Sequence, residues 1–386
     1  VQNAIDHEKV SGRLAALGLL VLAAALAPLA ASHARGSSRS SSHASSADQL
    51  AIQVTDDRLT LAVTDVPQVY LYGNIDEDAP QRVGELIRSG KIPRGSDIYL
   101  NSSSGSVGAG MALGRLFRAG SMVTHLGKPR RKGESNTAIC VGACTYAYFG
   151  GLYRWAPTGS DRIGVSATPM ASSSGAPVDV AGYLKDMGID PAALKASASA
   201  SSNSASSSIV VSSSGATTWL SADQMMASGL ANNGRLPLEA KYQTLSTGPY
   251  LTLDQTDRHG EHRMTIECKP GRVILTAINK VGAARAKDIV ARGTRSYFEL
   301  NRQEILTQPS GGAEVASESI SMTRTYPPAR LQYIIYAPSV GAWVAGRASA
   351  FRNGFTFDLE PVRNTLKQYY EACWQAAPWP TAGQNK

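Results

Sequence analysis

Two hydrophobic rhythms run along this chain. Short β-branched and aromatic runs alternate with stretches whose apolar residues fall three and four apart, the signatures of strands and amphipathic helices. Ile98, Tyr99 and Leu100 predict a buried strand, and Asn101 to Ser106 a turn. Val107, Met111, Leu113, Leu116 and Phe117 predict the buried stripe of a helix that stops at Gly120. A second unit follows: strand Met122 to Leu126, a helix-like run from Thr137 to Gly151, then strand Asp161 to Val165. Upstream, Ile52 to Val63 holds two short strand-like runs joined at Asp56-Asp57, and Val69 to Tyr72 is a further strand. Asp76 to Gly90 predicts a helix with Asp76 or Asp78 as N-cap, Pro80 in the first turn, Val83, Leu86 and Ile87 inward, and Gly90 as the stop. This alternation has βαβ spacing and predicts an α/β fold with a mostly parallel sheet.

Farther along, Asp179 to Met187 predicts a helix. Ser221 to Gln224 is a capping box opening a short helix that ends at Gly229. Between them, Lys195 to Thr218 is nearly pure Ser and Ala, and Ala171 to Gly175 is similar. As natural sequence the long tract predicts a disordered loop; its abrupt onset also fits altered side-chain identities. After Pro249 the rhythm becomes strand-like: Arg263 to Cys268, Arg272 to Ile278, Ser296 to Leu300, Ser319 to Thr325, Leu331 to Ala337 and Gly341 to Val344. These runs predict an antiparallel sheet or sandwich closed by a helix from Leu359 to Ala376.

The length of 386 residues and 43% apolar content support two cores. The +8 formal charge could serve an acidic partner, yet the basic residues are scattered. The cluster Lys128, Pro129, Arg130, Arg131, Lys132 reads as a solvated turn, and no basic helical face or aromatic ladder points to nucleic acid. Lys9 and Arg13 precede an apolar run from Leu14 to Ala27, then Pro28 and Ser32-His33-Ala34. This predicts a secretory signal cleaved after Ala34, with an uncleaved membrane anchor as the alternative. The remainder is then periplasmic or secreted. The expected segments are 1–34 as signal or anchor, 35–49 as Ser-rich linker, 50–248 as the α/β domain and 249–386 as a β-rich domain.

Four cysteines fit an oxidising compartment. Cys268 and Cys373 form the economical bridge closing the C-terminal region. Cys140 and Cys144 sit four apart, which suits neither a two-residue redox motif nor a zinc knuckle; they either bridge or pack as small apolar side chains. His259-Gly260-Glu261-His262 lacks helical metal-ligand spacing and reads as a solvated turn, so no metal is expected.

Tyr99 to Phe117, Thr137 to Gly151 and Asp161 to Val165 together resemble the Clp protease proteolytic subunit and its crotonase-fold relatives, in particular their periplasmic, Clp-like serine protease branch. The resemblance covers about Leu50 to Lys241. It implies a ClpP/crotonase-like parallel βαβ sheet domain followed by a mostly β domain. That family writes its turn Asn-Ser-Pro-Gly-Gly-Ser, its nucleophile as the Ser of Cys-x-Ser-Ala-Cys and its base as the His of Ile-Gly-Val-His. Here Ser103 and Ser104 replace Pro-Gly, Gly142 holds the nucleophile position and Ser166 the base position. The implied oxyanion donors are the backbone N–H groups of Gly105 and Ala143, which any side chain allows.

Gly142 cannot attack a carbonyl. A glycine inside a helix also costs about 1 kcal/mol relative to alanine, so the backbone there is non-helical or a larger side chain has been lost. Cys140, Cys144 and Thr145 are neighbouring nucleophiles that do not project where Gly142 does in the family register. His125 reads as a satisfied strand-end histidine. The third triad member should fall just before Trp219, where Ser212 to Thr218 offers no carboxylate. A Ser-Lys dyad through Lys185 or Lys195 would still need a hydroxyl at Gly142. The expectation is an exported Clp-like serine hydrolase of peptidase lineage with nucleophile and base replaced. The alternatives are a natural pseudoenzyme binding peptides or an envelope partner, and a crotonase-like binder of acyl thioesters. The resemblance implies a homo-oligomer and no cofactor.

Overall fold

The computed structural model describes residues 49–64, 66–130, 133, 135–166, 179–202, 210–212, 215–305, 312–347 and 351–376. The expected signal or anchor and most of the Ser-rich linker lie outside these, as do Arg131, Lys132 and the run Ala171 to Gly175.

The first half comprises β1 (Leu50–Thr55), α1 (Arg58–Thr64), β2 (Gln68–Ile75), α2 (Ala79–Arg88), β3 (Asp97–Gly105), α3 (Val107–Ala119), β4 (Val123–Leu126), β5 (Ile139–Val141), α4 (Ala143–Phe149), β6 (Tyr153–Arg154), β7 (Arg162–Ser166), α5 (Val180–Asp186), α6 (Pro191–Ser202), β8 (Val210–Ser212), β9 (Gly215–Leu220) and α7 (Ala222–Ala227). Its strands join in the order β1-β2-β3-β5-β7-β9-β8, with β4 on β3 and β6 on β4. β2, β3, β4, β5, β6 and β7 pair in parallel, while β1, β8 and β9 add antiparallel edges. β3 changes partner midway: Asp97 to Leu100 face β4, whereas Ser102 faces Cys140 of β5.

Ser106 caps α3 by accepting from the Ala109 N–H, and Val107, Met111, Leu113 and Phe117 enter the core. Leu116 stays half-buried. Small residues let α3 and α4 approach backbone to backbone: a methyl on Gly110 would overlap Ala143, and one on Gly150 would overlap Gly114. Arg118 then ties the ends of two helices, donating to the Gly150 and Gly151 carbonyls at 3.1 and 2.9 Å and to Met187 O at 2.9 Å. Arg154, 5% exposed, donates likewise to the carbonyls of Leu230, Gly151 and Gly229, and burial pulls its pKa down to about 10.

The second half comprises β10 (Glu239–Leu245), β11 (Gly248–Asp257), β12 (Gly260–Lys269), β13 (Arg272–Lys280), α8 (Ala283–Arg292), β14 (Arg295–Leu300), β15 (Gln303–Glu304), β16 (Glu314–Ala316), β17 (Ser319–Tyr326), α9 (Arg330–Tyr336), β18 (Ser339–Ala345), β19 (Arg352–Asp358) and α10 (Arg363–Ala376). Two antiparallel sheets result, β10-β11-β12-β13-β17-β16 and β15-β14-β18-β19. A second apolar core runs from Leu238 to Cys373, where Tyr369 of α10 donates to Ile266 O at 2.9 Å. The hairpin of β10 and β11 pairs residues 239–245 with this C-terminal sheet.

Six readings of the sequence are corrected. The turn expected over Asn101 to Ser106 is strand as far as Gly105, because β3 keeps its pairing with β2 to that residue. Residues 58–64 form α1 rather than a strand, because the Asp57 carboxylate accepts from the Leu59 and Thr60 N–H groups and starts a helix. The helix-like run at Thr137 splits into β5 and α4, because Ile139 and Val141 favour a strand and Gly142 turns the chain. The Ser/Ala tract is not wholly a loop: α6 extends to Ser202 on alanine-rich sequence, and β8 and β9 follow. Leu331 to Ala337 is helical, since its buried residues Leu331, Ile334 and Ile335 follow a helical period. His262 is not in a solvated turn but 4% exposed within β12, with Nδ1 2.9 Å from Asn279 Oδ1 and Nε2 3.1 Å from Asp257 Oδ2.

Both cysteine pairs are disulfides, Cys140–Cys144 and Cys268–Cys373. Such bonds persist in oxidising compartments. Among the described residues no helix is long and apolar enough to cross a membrane.

Candidate active site

The carboxyl ends of adjacent parallel strands form the edge where open α/β sheets present ligand sites. β3 and β5 meet at Ser102 and Cys140, and β5 and β7 at Cys140 and Ile163. Counting forward from that level, Gly105 lies three residues on, Gly142 two and Ser166 three. The topology thus brings the positions named from the sequence to the same edge of three neighbouring strands.

Gly142 joins β5 to α4 with φ 63° and ψ −117°. A side chain in that region is strained by about 1–3 kcal/mol, which explains glycine there without a helix-interior penalty. Strand, sharp turn at positive φ, then helix is the local form that presents a nucleophile in hydrolases built this way. The turn is fixed from several directions. The Cys140–Cys144 bond spans it, and the buried Thr145 hydroxyl donates to Gly164 O at 2.6 Å, holding α4 to β7. Gly142 and Ala143 are both buried.

Ala143 is the first residue of α4, so its N–H belongs to the first-turn amides that have no helical carbonyl. Gly105 has φ 132°, and a methyl there would overlap the Ile75 backbone of β2, so close strand approach demands glycine whatever else the residue does. Ser166 ends β7 directly opposite Thr217 of β9. Thr217 and Thr218, the end of the Ser212 to Thr218 stretch that lacks a carboxylate, therefore pair beside the base position.

The remaining candidates fall elsewhere. Cys140 and Cys144 are consumed in their bridge, and Thr145 points its hydroxyl at the backbone. Lys185 and Lys195 are exposed on α5 and α6. His125 donates from Nε2 toward Asp97 Oδ1 at 3.1 Å and stacks between Tyr99 and Trp155. It pairs at the level of Tyr99, about 16 Å along the strands from the level of Gly142. Among the described residues no cluster of three or more His, Cys, Asp or Glu could hold a metal.

Sequence reading missed Asp97, which is 2% exposed and held by His125 and by Arg258, whose NH1 and NH2 each lie 3.2 Å from one carboxylate oxygen. The only trace was a carboxylate leading directly into the apolar run Ile98 to Leu100.

No family model matches the chain, and no curated protein does. Among solved structures it is similar to a mutant of ClpP1 from Listeria monocytogenes, at 16% identity and a TM-score of 0.26, over 45% of this chain and 94% of that one.

Proposed function

We propose that this protein is an exported Clp-like serine hydrolase of peptidase lineage whose nucleophile position is Gly142 and whose base position is Ser166, and that it does not cleave peptides in this form. The observation that carries the reading is the Gly142 backbone, a positive-φ junction between β5 and α4 at the carboxyl edge shared with Gly105 and Ser166. With no hydroxyl and no imidazole, covalent acyl transfer has neither its electrophile's attacker nor its proton acceptor. The two disulfides support an oxidising destination.

The test rebuilds the chemistry. Gly142→Ser with Ser166→His, and with Thr217→Asp opposite the new imidazole, is expected to react covalently with a fluorophosphonate. Ser166→His alone is expected to stay unlabelled. A triple variant that keeps its circular dichroism and both disulfides yet takes no label would overturn the proposal.

A further inference from the structure

At the amino ends of β3 and β4, opposite the edge just described, lies a cavity of about 630 Å³. Among the described residues its wall contains Arg94, Arg258, Arg285 and His259 and no carboxylate. A volume of this size accepts a small organic ligand. The arrangement is built rather than incidental. Arg94 is held by hydrogen bonds to Ala119 O at 2.8 Å and to Ser121 Oγ at 2.9 Å. Arg258 is clamped edge-on by the buried Asp97. A guanidinium has five N–H groups, so each of these two retains three donors after its anchoring contacts.

Among the described residues, the neighbouring carboxylates Asp97 and Asp257 are already engaged, the first by Arg258 and His125 and the second by His262. Arg285 is exposed at the start of α8. Tyr153 lines the same space, and burial first, then Asp257, pushes its phenol up to about 12, so it remains a donor. Val66, Val123 and Leu152 supply an apolar wall.

We infer that this cavity binds an organic phosphate, its phosphoryl oxygens received by Arg94, Arg258 and Arg285 and its organic part lying against Val123 and Leu152. Preformed guanidinium forks match phosphate geometry, and anchoring removes part of the ordering entropy that binding would otherwise cost. The site is separate from the Gly142 turn and independent of the peptidase reading.

Isothermal titration calorimetry of the full chain at low salt, with inorganic phosphate and inorganic pyrophosphate as probes, tests the inference. Saturable one-site binding of pyrophosphate is expected, stronger than that of phosphate. It should weaken at least tenfold in Arg94→Gln with Arg285→Gln and stay unchanged in Lys367→Gln, a basic residue outside the cavity. Both arginines are exposed, so their loss should leave thermal unfolding nearly unaltered. Arg258 is kept, because removing it would strand a buried carboxylate. Absence of saturable heat, equal weakening by Lys367→Gln, no weakening by the double variant, or tighter binding of citrate than of pyrophosphate would each overturn the assignment.

Discussion

Gly110 of α3 lies so close to Ala143 of α4 that even one methyl group on it would overlap the Ala143 carbonyl. The spacing of two helices, and with it the position of the Gly142 turn, rests on a missing side chain. Gly110→Ala is expected to destabilise the protein by about 3 kcal/mol, because the obstacle is backbone and cannot rotate away. Urea unfolding measures this, and an unchanged midpoint would contradict it.

The end of α4 offers a second test. Its Tyr146 carbonyl accepts from the Tyr183 hydroxyl at 2.6 Å. Tyr183→Phe leaves that carbonyl without its donor and is expected to cost about 1 kcal/mol, with the ring still seated over Gly114. A cost near zero would mean that water replaces the hydroxyl.

Acid should weaken the junction of β1 and α2. The Arg82 hydrogen bonds, opposed by burial and assisted by the Leu50 N–H, hold Asp76 at about 2 against an ordinary 3.8. A depressed carboxyl contributes stability that is complete above its unfolded value and disappears as pH falls through the folded one. The contribution, about 1–2 kcal/mol after allowance for solvent, should therefore fade between about pH 4 and pH 2. Arg82→Met should lose that amount at pH 7 and almost nothing at pH 2. A deficit independent of pH would refute the assignment.

The two disulfides should differ in weight. Cys268–Cys373 joins residues 105 apart and Cys140–Cys144 residues 4 apart. On loop-closure entropy the first is expected to contribute about 4–5 kcal/mol and the second about 2 kcal/mol or less. Denaturant midpoints of Cys268→Ala with Cys373→Ala, and of Cys140→Ala with Cys144→Ala, compare them directly.

Local signals were legible where an apolar stripe or a capping box was complete. The apolar residues of α3, and Ser221 with Gln224, announced helices that formed as expected. They failed where a short strand abutted a helix, as at Val141, or where a tyrosine-rich helix imitated a strand, as in α9. Gly142 was readable as a non-helical glycine or a lost side chain; its φ of 63° makes the backbone non-helical and is also the conformation a nucleophile takes at such a turn. The contact of Asp97 with Arg258 spans 161 residues, and no local pattern encodes such a meeting.

Arg118 and Arg154 spend their N–H groups on peptide oxygens inside the first core. They count toward the 38 basic residues of the formula, yet the donors they spend on those carbonyls are not available to a visiting polyanion. Counterions are displaced only by cations that reach phosphate, so the ionic-strength slope of any such adsorption must be shallower than the composition suggests.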